Sequence, residues 1–180
     1  MLQSIKQYFK FAIFSVVILV FIYIIVFYFP NASVDDQGQS IFVPTGTTFD
    51  EFKEMIKPHI KSSTTFSLAA IAKRFDTPRV GHFKIKPSMG NHKIINTLRS
   101  GNTPIHVVFN NQQTVEHLAG RVGEQLEIDS LTILNEIKSE RFSTDVNLSS
   151  DELLSLFLPN SYEMYWNISA ADFCDRMRVE

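Results

Sequence analysis

Residues Phe11 to Phe29 read FAIFSVVILVFIYIIVFYF, nineteen positions without a charge. At a helical rise of about 1.5 Å per residue the run is roughly 28 Å long, close to the hydrocarbon thickness of a bilayer. A soluble domain in a chain of 180 residues has little room to hide such a run. A secretory leader is a second possibility, but its apolar region is usually only about 7–15 residues and ends at small residues. Phe29, Pro30 and Asn31 make a poor cleavage site before Ala32, so an uncleaved anchor is expected. Lys6 and Lys10 precede the run, Asp35 and Asp36 follow it, and the next basic residue is Lys53. Positive flanks stay inside, which places residues 1–10 in the cytoplasm and everything after the anchor on the exported, periplasmic side of a plasma (inner) membrane.

The remaining composition narrows the function classes. The chain is 44% hydrophobic and 20% charged with a net charge of -2, so a folded core is expected and a dedicated nucleic-acid surface is not. One cysteine, Cys174, forms no internal disulfide, and the five histidines are scattered without metal-ligand spacing. No metal and no cofactor are expected.

Past a polar stretch at 30–40, read as a linker, a pattern of β-prone run, turn and amphipathic helix begins at Ile41, at Phe83 and at Ile105. True repetition and ordinary α+β alternation both fit. The helix faces are Phe49, Phe52 and Ile56; Ile94, Ile95 and Leu98; and Val115, Leu118 and Val122. Thr48 with Glu51 forms a capping-box signature, Thr114 a cap, and Gly101 a helix stop. A further helix is read over Thr64 to Phe75. After Gln125 the pattern predicts a helix capped by Ser130 with Leu131, Leu134 and Ile137 as its apolar face. A short helix follows, with Ser149 and Glu152 as its capping box, and then a closing helix with Ser169 and Asp172 in the same relation. That last helix stops at Glu180 without a cap, as if the chain were cut short.

Four features together resemble the YceG-like endolytic murein transglycosylases. They are the anchor with an exported domain after it; VGHFKIKPSMGNHKIINTLRSGN, with its Gly-aromatic strand, P-x-M turn and L-x-x-G helix end; VVFNNQQTVEHLAGRVGEQLEID; and SLFLPNSYEMYWN, similar to an aromatic-Pro-Asp-Thr-Tyr motif. The resemblance spans the whole chain. It implies an α+β fold with one transmembrane helix (11–29), a LysM-like subdomain (41–110) and the beginning of a catalytic subdomain (111–180). It further implies cleavage of nascent peptidoglycan glycan strands between N-acetylmuramic acid and N-acetylglucosamine, leaving a 1,6-anhydro end, with peptidoglycan synthases as partners. The alternative is a non-catalytic peptidoglycan-binding envelope protein or an inactive fragment.

One departure bears on the chemistry. The family's catalytic glutamate lies five residues before the motif proline; that proline is Pro159, and the position holds Leu154. Lytic cleavage needs one carboxylic acid that protonates the leaving oxygen and then takes the proton of the attacking 6-hydroxyl. Glu163, among Tyr162, Tyr165 and Trp166, is the candidate, with those aromatics and Asn160 expected to contact sugar. Asn160 and Ser161 stand where the family has Asp and Thr. The bland alternative is an alternating strand in which Tyr162, Met164 and Trp166 face inward and Glu163 faces water. Glu152 is a weaker candidate, because a capping role already accounts for it.

Overall fold

The computed structural model describes residues 2–146, 148 and 152–180, and its architecture is α+β. The helices are α1 (Leu2–Tyr28), α2 (Phe49–Ile56), α3 (Ser63–Ala72), α4 (Asn91–Ser100), α5 (Val115–Gly123), α6 (Ser130–Ile137), α7 (Glu140–Val146) and α8 (Ala170–Val179). The strands are β1 (Gln39–Val43), β2 (Gly81–Ile85), β3 (Ile105–Phe109) and β4 (Asn160–Met164). They form two two-stranded sheets, β1 with β2 and β3 with β4.

Within α1, residues Gln7–Tyr28 are 22 residues of mean hydropathy 2.9 with only 6% of the most apolar window buried, a helix long and apolar enough to cross a membrane. Both the predicted span and the observed helix finish next to Pro30, whose fixed φ and missing N–H stop a helix.

The chain divides into two compact units. The first comprises Met1–Ile41, Thr47–Arg79 and Phe83–Gly101; the second comprises Phe42–Gly46, Val80–His82 and Asn102–Glu180. The strand-turn-helix run at Ile105 therefore belongs with the C-terminal residues, because β3 pairs with β4.

In the first unit, α1 packs against α3 and α4. The core holds Phe52, Phe66, Phe75, Ile56, Ile94, Ile95 and Leu98. Phe52 sits edge-on to Phe75 at 6.0 Å between centroids. The Thr48 capping box is formed: Thr48 Oγ1 accepts from the Glu51 amide at 3.3 Å, and Glu51 Oε2 accepts from the Thr48 amide at 2.8 Å. These bonds hold the Glu51 carboxyl below its usual range. Helix α3 ends three residues earlier than its apolar pattern suggests. Arg74 adopts φ 52°, and the Phe75 and Arg74 amides donate to Ala70 O (2.8 Å) and Ile71 O (3.0 Å). That is a Schellman ending with arginine where glycine is usual, and it turns Phe75 back into the core.

The stretch read as a linker is tied down at its start. Asn31 is only 5% exposed. Its Nδ2 donates to Asn91 Oδ1 (2.6 Å) and Ser62 O (2.9 Å), and its Oδ1 accepts from the Ser62 amide (2.8 Å). Asn91 Nδ2 in turn donates to Val26 O at 2.7 Å, satisfying a carbonyl that the end of α1 leaves without a helical partner. Gly90 permits this approach: a Cβ there would lie 2.7 Å from Tyr28 O.

The second unit is built on Val107, Phe109, Leu118, Val122, Ile133, Ile137, Phe142, Phe157, Tyr162 and Phe173, all buried in one cluster. Thr114 caps α5, and Ser169 caps α8 by accepting from the Asp172 amide at 3.1 Å. Two expectations for α6 are corrected. The cap is Asp129, one residue before Ser130: its carboxylate accepts from the Thr132 amide (2.8 Å) and hydroxyl (3.1 Å), and these bonds hold it below the usual range. The buried face is Ile133 and Ile137, with Leu134 at its edge, while Leu131 is 64% exposed. Starting the helix at Ser130 leaves Leu131 in the first turn, on the exposed side. The helix expected before Pro159 is a single 3₁₀ turn, Leu153–Leu156. The capping box assigned to it involves Ser149, which lies outside the described residues.

Candidate functional site

Strands β3 and β4 run antiparallel with Ile105 opposite Met164, His106 opposite Glu163, Val107 opposite Tyr162, Val108 opposite Ser161 and Phe109 opposite Asn160. Alternation sends Val107, Phe109, Tyr162 and Met164 into the core and leaves His106, Val108, Ser161 and Glu163 on the open face. Phe109 and Tyr162 stack on the inner face at 5.3 Å.

The free edge of β3 is closed by a side chain. The Val108 amide donates to Gln125 Oε1 (2.9 Å), and Gln125 Nε2 donates back to Val108 O (3.0 Å), as a neighbouring strand would. Since the backbone of Val108 points toward Gln125, the pairs Val108–Ser161 and His106–Glu163 are the non-hydrogen-bonded kind. Their Cα atoms are then about 4.5 Å apart, the closest cross-strand spacing for side chains. Glu163 thus projects beside the His106 imidazole, with the Ser161 hydroxyl on the same face, 3.5 Å from His106 Nδ1. Among the described residues no Lys or Arg forms an ion pair with Glu163.

The residues expected to contact sugar separate into different surroundings. Tyr162 is 6% exposed, and its hydroxyl donates to Leu158 O at 2.6 Å, so it supports β4 from beneath. Asn160 is exposed, and its Oδ1 accepts from the Ser161 amide at 2.8 Å, a turn role. Tyr165 is 52% exposed. Trp166 lies past the end of β4, half-buried, its ring 5.2 Å from Phe42, which stacks on His82 at 4.6 Å. Nothing in the local sequence around Trp166 points to Phe42 or His82.

The 153–159 turn carries different chemistry. Leu154 is half-buried against the core and lines a cavity of about 380 Å³ with Asn111, Gln112, Leu118, Ser155, Phe157, Leu158 and Pro159. No carboxylate is among these lining residues. Glu152 is exposed just before the turn.

The profile of the YceG-like family matches residues 41–180, most of the chain. The chain belongs to the YceG-like family. No curated protein matches it significantly. Among solved structures it is similar to a YceG-like protein from Listeria monocytogenes, at 14% identity and a TM-score of 0.40, over 81% of this chain. The chain spans 54% of that protein's length. In this member of the family the position five before the motif proline is apolar, and the acid of the PNSYEMYW segment faces solvent across from a histidine.

Proposed function

We propose that this chain is a membrane-anchored lytic transglycosylase acting on nascent peptidoglycan glycan strands, with Glu163 as its single acid–base group. The acid protonates the glycosidic oxygen between N-acetylmuramic acid and N-acetylglucosamine. As the bond breaks, the muramic 6-hydroxyl attacks the anomeric carbon and gives its proton to the carboxylate. The product is a 1,6-anhydro end, and no water is consumed. The observation that carries this reading is the open face of β3 and β4, where Glu163 stands without a Lys or Arg partner among the described residues, opposite His106 and beside Ser161. A carboxylate locked in an ion pair is held ionised. One without a cation can be driven toward its protonated form when a bound glycan strips away water. Exposed Tyr165 and half-buried Trp166 offer apolar surface for the sugar faces, and Asn160 offers amide bonding. The exported orientation of both units, the inner-membrane location and an encounter with peptidoglycan synthases belong to the same reading.

The test is incubation of the full chain in detergent with uncrosslinked glycan strands, scored by mass spectrometry for anhydro-muramic ends. Loss of a general acid costs typically about 10²–10⁴-fold, so Glu163→Gln is expected to reduce product formation by at least about 10²-fold. Unchanged product with Glu163→Gln would overturn the assignment. A second reading, a glycan-binding module without cleavage, is favoured by Leu154 lining a cavity with no carboxylate among its lining residues, where the family places its acid. Binding of strands with no anhydro ends from the unsubstituted chain would select it.

A further inference from the structure

The first unit contains a cationic cavity close to the end of α1. Its volume is about 420 Å³, and it is lined by Asp36, Gln37, Lys84, Lys86, Pro87, Ser88, Met89 and Lys93. Three ammonium groups and one carboxylate leave the lining with a net charge of +2 (three minus one). Among the described residues none of the three lysines is held in an ion pair. All three are exposed.

The place of this cavity in the unit is fixed by hydrogen bonds. Met89 is buried, and its carbonyl accepts from both the Asn31 and Ala32 amides at 2.9 Å. Pro30 bridges to Gly90, and Gly90 rests against the last carbonyls of α1. His92 stacks on Tyr28 at 5.4 Å. The floor of the cavity is therefore joined directly to the two residues after Pro30, and Asp36 and Gln37 come from the same segment leaving α1. With α1 spanning the bilayer, the cavity lined by the three lysines adjoins the segment that leaves it, through the bonds of Met89 O to Asn31 and Ala32.

We propose that this cavity is a seat for the phosphate of an anionic phospholipid headgroup in the leaflet facing the first unit. Lys84, Lys86 and Lys93 would hold the phosphate, and Gln37 and Ser88 have donors for headgroup hydroxyls. Such a seat fixes the unit against the membrane rather than letting it swing on its stem. The inference does not depend on the catalytic reading.

The full chain is reconstituted in nanodiscs of phosphatidylcholine alone, of phosphatidylcholine with about one-third phosphatidylglycerol, and of phosphatidylcholine with inorganic phosphate in the buffer. Lysine acylation rates are then read by mass spectrometry. A basic residue at an anionic surface gains roughly fivefold in binding, so Lys84, Lys86 and Lys93 should label at least about fivefold more slowly with phosphatidylglycerol than without. In the Lys84→Gln/Lys86→Gln variant the protection of Lys93 should fall toward the phosphatidylcholine rate. Protection by inorganic phosphate alone would assign the seat to a soluble phosphate and overturn the lipid. Equal labelling in all three conditions, or undiminished protection of Lys93 in the double variant, would overturn the site.

Discussion

Asn91 is the residue whose loss should be felt most clearly at the junction with α1. It is fully buried and does two jobs: its Nδ2 donates to Val26 O at 2.7 Å, and its Oδ1 accepts from Asn31 Nδ2 at 2.6 Å. Asn91→Ala removes both bonds and strands a helix-end carbonyl and an amide hydrogen. Each buried group left unsatisfied costs about 1–3 kcal/mol, so the pair should cost about 2–6 kcal/mol of local stability. At about 1.4 kcal/mol per factor of ten, a loss near 3 kcal/mol speeds amide exchange through local opening by roughly 10²-fold. The assay is hydrogen–deuterium exchange of the full chain in detergent, read in peptides holding Asn31, Ala32 and Ser62, whose amides donate to Met89 O, Met89 O and Asn31 Oδ1. Peptides from β3 and β4 serve as the internal reference. Asn31→Ala removes one of the same bonds, so the double variant should cost less than the sum of the two single ones. A change below about threefold in Asn91→Ala, or strict additivity in the pair, would refute the account.

Two further outcomes are expected in the second unit. Lys138 Nζ bonds Glu116 Oε1 at 2.5 Å, linking α6 to α5, and holds the Glu116 carboxyl at about 2 against an ordinary value of 4.5. A carboxyl whose folded value is depressed gives its stabilisation above the unfolded value and loses it as pH falls toward the folded one. Lys138→Met should therefore flatten the pH dependence of urea unfolding between 4.5 and 2, and an unchanged slope would count against the pair. Cys174 is fully buried, and that burial pushes its thiol up to about 12, so a maleimide at neutral pH should modify it only after denaturation. Rapid labelling of the native chain would contradict its placement on the buried face of α8.

How much of the site could be read beforehand depends on how far apart its parts lie in the chain. The inward and outward alternation of Tyr162, Glu163 and Met164 was legible, because side chains of any strand alternate. The caps at Thr48, Thr114 and Ser169 were legible because donor and acceptor lie three residues apart. The sequence does not single out Asp129, because Asp and Ser cap equally well and only the backbone shows which of the two is extended. Helix α7 carries no periodic signal: ERFSTDV buries a single large residue, Phe142, and has no apolar stripe. The partner of Glu163 was not legible at all, since His106 comes fifty-seven residues earlier and nothing local pairs the two strands.

By itself the sequence determined that one uncharged run can cross a bilayer, that helices begin at their hydroxyl and carboxylate caps, and that position 154 cannot move a proton. Each of these follows from covalent chemistry or from residues within one turn of each other. The tertiary structure alone decided that β3 belongs with β4, that Asn31 and Asn91 lock the first unit to the end of α1, and that Lys84, Lys86 and Lys93 surround one cavity. Those arrangements depend on burying distant apolar faces together, and the free energy of that burial is a property of the assembled core, not of any single segment.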